Sequence, residues 1–156
     1  MVSADLGDNE ARRARGAVLL RDNEWGIVGK VDLVLEGPYG LVPVEYKSAG
    51  ASFEPGKAKP SQVIQLATAL VLCEGDGRLG TRPAEGWLRY VDDQGRILPG
   101  GEIKVPNTPQ LRDHVKEIAR RMRRALITQE PVHRSHRSAA KCGTCSLRMG
   151  CDEALI

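Results

Sequence analysis

The sequence predicts an α/β domain: a mixed central sheet flanked by helices, with a cysteine-rich segment at its C-terminus. Three observations predict it. Two β-rich runs, GKVDLVLE and LVPVEYK, bracket GPYG, which reads as the turn of a hairpin. The remaining elements follow in the order helix, strands, helix, which suits a sheet covered by helices. Finally, KCGTCSLRMGC places Cys142, Cys145 and Cys151, three of the four cysteines, within ten positions near the chain's end.

Taken in order, ARRAR precedes AVLL, and Ala17 to Leu20 reads as a short strand. GIVGKVDLVLE and LVPVEYK form the hairpin. Residues 48–59, SAGASFEPGKAK, are loop by composition. A helix is predicted from Pro60 to about Glu74, with proline at its start and Gly75 just past its end. GWLRYVD, residues 86–92, alternates as a strand, and DQG turns the chain toward RIL and GEIKV. The next helix takes Thr108 as N-cap and Pro109 as its first residue. Leu111, Val115, Ile118, Met122 and Leu126 share one face of it, and Arg112, Lys116, Arg120 and Arg123 lie elsewhere around the wheel. A loop with Pro131, His133 and His136 leads into the cysteines. The expected organisation is one domain over residues 1–156, with a core at 15–130 and a cysteine-rich tail at 131–156.

Composition narrows the function classes. With 41% hydrophobic and 28% charged residues, the chain reads as an ordinary globular protein. A net charge of +3 hints only weakly at a polyanionic partner. One Phe, two Trp and three Tyr offer no obvious platform for stacking nucleic-acid bases. No N-terminal signal pattern occurs, and no run reaches the roughly eighteen apolar residues of a membrane span. The expected compartment is cytoplasmic, with no membrane partner. Thiols stay reduced there, so clustered cysteines favour a metal or cluster over disulfides.

The hairpin carries the most chemistry. Alternation sends Val31, Leu33 and Leu35 to one face and Lys30, Asp32 and Val34 to the other. Val42, Val44 and Tyr46 share a face, with Glu45 and Lys47 opposite. If Glu36 faces Leu41 across the turn, Asp32 comes opposite Glu45, with Cβ atoms about 4.5–5.5 Å apart. Two carboxylates that close repel unless a cation lies between them. They can hold a hard divalent ion such as Mg²⁺ or Mn²⁺, and a neighbouring Lys47 can stabilise charge developing on a phosphate. The same four polar residues also read as the solvated face of an amphipathic hairpin.

GKVDLV followed by PVEYK resembles the D…ExK core of the PD-(D/E)XK nuclease superfamily, in its RecB-like branch. Asp32, Glu45 and Lys47 fall on the motif positions, and QLATAL is similar to the branch's glutamine motif, with Gln65 on the glutamine. A terminal CxxC with one further cysteine resembles the iron–sulfur members. GWLRY, the basic helix, the Pro131 stretch and CGTCSLRMGC keep the order of the CRISPR-associated exonuclease family, the fourth of the numbered Cas proteins. The resemblance spans roughly residues 15–153.

It implies a restriction-endonuclease-like core with Asp32 and Glu45 holding Mg²⁺ or Mn²⁺, Lys47 near the nucleophile, and Gln65 orienting water or substrate. It further implies a DNA exonuclease that trims fragments for CRISPR spacers beside the Cas integrase. A 4Fe-4S cluster would sit on Cys142, Cys145, Cys151 and an upstream cysteine. That fourth ligand is expected to lie before residue 1, which leaves the cluster absent, labile or completed from outside.

Other readings stay open. The nuclease could serve DNA repair or a phage, or the chain could be an inactive DNA- or protein-binding module with a structural zinc. Cys73 follows Leu70, Val71 and Leu72 and reads as a core residue. His133 or His136 could complete a Cys₃His zinc site, or be solvated like His114. The basic helix reads as a solvated face or as a contact for DNA phosphates or a protein partner.

Overall fold

The structure is a computed structural model that describes residues 13–37, 40–50, 53–129, 133, 137–145 and 148–155. The chain forms two compact units, Met1–Arg120 and Arg121–Ile156. Each is described by itself.

In the first unit, β1 (Arg13–Asp22), β2 (Ile27–Gly37) and β3 (Gly40–Ser48) form an antiparallel meander. Helix α1 (Pro60–Gly75) then carries the chain to β4 (Glu85–Val91), which lies parallel to β3. A parallel neighbour needs such a crossover connection. β5 (Ile97–Pro106) returns antiparallel to β4, so the five strands stand in the order β1-β2-β3-β4-β5. The predicted α/β class with a mixed sheet is what is found. The strand read over Ala17–Leu20 extends to ten residues because its whole length pairs with β2.

The hairpin register is the one the turn requires, with Glu36 opposite Leu41 and Leu33 opposite Val44. Pairing also reaches Gly37 and Gly40.

The alternation read on β2 needs one correction. Val31 packs in the cluster on the α1 side, together with Val34, whereas Leu33 and Leu35 pack with Val44 and Trp87 on the other face. The pleat breaks at Asp32. The β1 ladder pairs Gly16 with Leu33 and Val18 with Val31 but leaves Asp32 out, and the β3 ladder stops at Leu33. Instead of a backbone rung, the Asp32 carboxylate accepts the Tyr46 N–H at 2.9 Å. A side chain that substitutes for a ladder bond frees the strand to rotate.

Helix α1 begins at Pro60, where a missing N–H costs nothing, and Gln62 Oε1 accepts the Lys59 N–H at 3.2 Å. It is buried on two sides. Leu66, Ala69, Leu72 and Cys73 join Leu20, Val31, Val34 and Leu88 on the sheet, while Ala67 and Val71 meet Val115. The sheet gives way to the helix at two glycines. A Cβ at Gly29 would lie 2.8 Å from Leu72 Cδ1, and one at Gly86 would lie 2.9 Å from Leu66 Cδ1.

Helix α2 (Pro109–Thr128) starts as predicted, with Thr108 Oγ1 accepting the Leu111 N–H at 3.2 Å. Its apolar stripe is a buried seam only at the beginning. Ala67 and Val71 span one turn of α1, which is matched by Leu111 and Val115 alone. Farther on, Met122 and Leu126 are 63% and 81% exposed, so sharing a helical face does not bury them.

A buried carboxylate closes the α1 end. Asp76 accepts the Arg21 N–H at 2.9 Å and the Arg78 Nε–H at 2.9 Å. The Arg78 guanidinium, helped by the Arg21 and Arg78 backbone N–H groups, outweighs burial and holds the Asp76 carboxyl well below the usual carboxylate range. A depressed native pKa means that the unfolded chain takes up the proton first as pH falls. The stabilisation is therefore complete above the ordinary carboxylate pKa of about 3.9 and is lost as pH drops below it. Thermal melts between neutral pH and about pH 3 should show a steeper acid loss for the wild type than for Asp76→Asn.

Candidate active site

The strand alternation on β3 turns Glu45 and Lys47 toward α1, and Val44 and Tyr46 toward the other face. One turn into α1, Gln65 reaches them. Lys47 Nζ donates to Glu45 Oε1 and to Gln65 Oε1, each at 2.7 Å, and Gln65 Nε2 donates back to Glu45 Oε1. Three residues from two elements thus close a ring of hydrogen bonds. It fixes the Gln65 amide, with its oxygen on the ammonium and its nitrogen on the carboxylate.

The ring is buried on its β3 side and open to solvent at Gln65. Glu45 is 6% exposed and the Lys47 side chain 18%, whereas Asp32 and Lys30 face solvent. Of the two readings of the polar face, the solvated one therefore describes only its β2 half. A buried carboxylate is tolerated here because the ammonium and the amide satisfy it. Asp32 stands on the neighbouring strand, held by Tyr46 N–H through Oδ2.

Beside the ring opens a cleft of about 260 Å³ lined by Glu45, Gln65, Lys30 and Thr68, with Gly29, Val31, Ala69 and Leu72 as its apolar wall. Small residues at 29 and 69 keep that space open. Thr68 was not singled out in the sequence, although its position three after Gln65 puts it on the same helical face. The Tyr46 N–H that anchors Asp32 left no trace in side-chain identity.

The donors suit a hard cation. Asp32 Oδ1 and Glu45 Oε2 take no hydrogen bond among the described residues, and both are carboxylate oxygens. Among those residues no three His, Cys, Asp or Glu side chains form a metal-holding group. The chain thus offers two carboxylates, and Mg²⁺ or Mn²⁺ would keep water on its remaining positions.

The cysteines are placed differently. Cys73 is fully buried in the α1 core, where burial first and Asp76 second push its thiol up to about 12. It is the core residue that its apolar neighbours predicted. In the second unit, Cys142 lies on α3 (Ala139–Gly143), is 5% exposed and accepts the Leu155 N–H at 3.4 Å. Cys145 and Cys151 are exposed, the latter just after a 3₁₀ turn, Arg148–Gly150. With one thiol turned inward and two outward, the described residues do not fit an iron–sulfur cluster or a zinc site. His133 Nδ1 lies 2.7 Å from Glu153 Oε1, while Pro131 and His136 fall outside the described residues. A thiol reagent should modify Cys145 and Cys151 quickly in the native protein, Cys142 slowly, and Cys73 only after denaturation, as peptide mapping would show.

The basic residues of α2 are partly engaged. Arg112 donates to the Asn107 carbonyl at 3.0 Å, and Lys116 and Arg120 lie 5.1 and 5.5 Å from the Trp25 ring centroid. His114 is exposed. No helix among the described residues is long and apolar enough to cross a membrane.

Comparison with known proteins bears on the family and the fold. No curated protein matches the chain. The chain is similar in fold to a solved structure titled "Crystal structure of SSO0001", with a TM-score of 0.56 and 17% identity over 92% of this chain. It spans 62% of that chain's length. The sequence pattern of the PD-(D/E)XK nuclease superfamily matches residues 4–152, and on that match the chain belongs to the PD-(D/E)XK nuclease superfamily.

Proposed function

We propose that this chain is a metal-dependent deoxyribonuclease whose phosphodiester hydrolysis is carried by Asp32, Glu45, Lys47 and Gln65. The observation that supports it most is the closed ring of Glu45, Lys47 and Gln65 facing the Asp32 strand. Asp32 and Glu45 are the residues that would hold Mg²⁺ or Mn²⁺. When bound, such an ion lowers the pKa of a water and offsets phosphate charge.

The protein's own part is positioning and charge. Lys47 presents its ammonium beside the Glu45 carboxylate, where the negative charge that grows on a phosphate during attack would be met at short range. Gln65 holds that ammonium from the far side and sets its direction. Glu45, already oriented by both, pays no reorganisation cost when substrate arrives. Asp32 is fixed by a backbone donor and keeps one oxygen for the cation.

Exonucleolytic trimming of DNA for CRISPR spacer acquisition, beside an integrase, is the finer reading. Its support is the order of GKVDLV, PVEYK, QLATAL, GWLRY and the cysteine triplet along the sequence. The resemblance also implies a 4Fe-4S cluster, but the buried Cys142 and the exposed Cys145 and Cys151 do not fit one among the described residues. Anaerobic purification with iron analysis should then find this chain free of cluster, and a stable stoichiometric cluster on the chain alone would count against that assignment.

The activity itself is tested with end-labelled linear DNA and covalently closed circular DNA, each with Mn²⁺ or with EDTA. Progressive shortening of the linear DNA in Mn²⁺ alone, with the circle intact, is the expected outcome. Nicking of the circle would show an endonuclease instead, and an inert protein would remove the proposal.

A further inference from the structure

We infer that a second cleft, next to the catalytic ring, binds one unpaired nucleotide of a single-stranded DNA, with its base against Phe53 and its phosphate between Lys57 and Lys59. The inference rests on the nuclease reading for its choice of ligand. Its test does not depend on cleavage.

The cleft has a volume of about 220 Å³ and lies between the 53–59 loop, the start of α1 and Tyr90. Composition alone offers no obvious stacking platform, with one Phe, two Trp and three Tyr. The fold nonetheless places that Phe beside a Tyr, with ring centroids 5.0 Å apart and planes tilted by 46°. Two rings and two lysines lining one cleft make the pairing of π-face and cation that single strands require.

The cleft is built rather than incidental. Gly56 N–H donates to the Gly100 carbonyl at 2.8 Å, and Gly100 has φ +66 with Pro55 where a Cβ would stand, 2.8 Å away. The loop is thereby pinned to β5. Tyr90 is fixed in turn by its hydroxyl, which donates to Gln62 Oε1.

Tyr90 and Gln62 connect the cleft to the catalytic ring. Tyr90 is the β4 neighbour of Lys47, and Gln62 lies three residues before Gln65 on α1. Residues so spaced share a helical face, so Gln62 stands at one cleft and Gln65 at the other. A strand with its scissile phosphate at Lys47 would lay an adjoining nucleotide over Phe53. Glu54 also lines the cleft and holds Lys57 Nζ at 2.5 Å, so an arriving phosphate competes with that carboxylate for the lysine.

The test is fluorescence anisotropy of a labelled oligo(dT) with the whole chain in EDTA, where nothing is cleaved. Phe53→Ala should weaken binding about five- to a hundredfold, as loss of one stacked base does. Phe53→Leu keeps the apolar bulk against Tyr90 and should weaken it similarly, whereas Phe53→Trp should keep it. Lys57→Ala with Lys59→Ala should lower the slope of log K against log salt by about 0.7, for one neutralised phosphate on a single strand. Wild-type affinity in Phe53→Leu would overturn the inference, as would duplex DNA that competes as well as the single strand. A wild-type chain that binds through Phe53 yet never degrades DNA would instead remove the nuclease reading and leave this one standing.

Discussion

Lys47→Ala is expected to slow DNA hydrolysis by about 10²–10³-fold, the usual effect of removing one aligned donor from a developing oxyanion. The geometry makes the residue hard to replace. Its Nζ touches Glu45 and Gln65 at once, each at 2.7 Å, so its loss removes a charge and unlocks the amide together. The fold should survive, because Gln65 Nε2 still donates to the Glu45 carboxylate and keeps it from being a bare buried charge. Gln65→Ala, which leaves the ammonium in place, should cost far less, on the order of tenfold, since it removes only an orienting contact. Single-turnover rates on a labelled substrate, compared at matched thermal midpoints, separate the two. A Lys47→Ala rate equal to wild type would remove Lys47 from the chemistry.

The second large effect is on stability. Leu66 is fully buried at the centre of the α1–sheet cluster, against the bare backbone of Gly86. Leu66→Ala opens a void that Gly86 has no side chain to fill, so relaxation is limited. The expected loss is about 3 kcal/mol, within the usual 2–5 kcal/mol for buried Leu→Ala. Urea unfolding should show a lower midpoint at an unchanged slope. A change below about 1 kcal/mol would mean that α1 is not clamped to β4 as described. Because Leu66 follows Gln65, the same variant should also lose activity through a looser helix, without touching the chemical groups.

Much of this architecture was legible in side-chain pattern. The GPYG turn set the hairpin register, because Glu36 opposite Leu41 leaves no freedom farther down the strands. Pro60 and Gly75 marked α1, and Thr108 with Pro109 marked the start of α2, since capping depends on local chemistry. Glu45, Lys47 and Gln65 came together as the resemblance implied, and Asp32 stands on the next strand, but not by simple alternation. The missed step was the break at Asp32, where a carboxylate accepts a backbone N–H in place of a ladder bond. That event is decided by rotation of the strand, which periodicity cannot register. The exposed end of the α2 stripe is beyond the reach of periodicity for a related reason. A helix face shows that residues could be buried together, but how far the seam runs depends on its partner's length. Here Ala67 and Val71 supply a single turn. Phe53 and Tyr90, thirty-seven positions apart, met only through the tether at Gly56 and Gly100.

The cysteine triplet and the hairpin now stand on different footing. Lys30 and Glu45 of the hairpin line one cleft with Gln65, and Lys47 joins that glutamine and carboxylate, whereas Cys142 is buried and Cys145 and Cys151 are exposed. The nuclease chemistry can therefore be tested without loading the tail. The direct measurement is DNA degradation by wild type and Asp32→Asn, side by side, with Mn²⁺ and with EDTA. Asp32→Asn keeps an oxygen to accept the Tyr46 N–H but gives up the charge that would hold the cation. The account predicts degradation by wild type in Mn²⁺ only, and none by an Asp32→Asn protein that melts like wild type. Degradation by Asp32→Asn at the wild-type rate would contradict it.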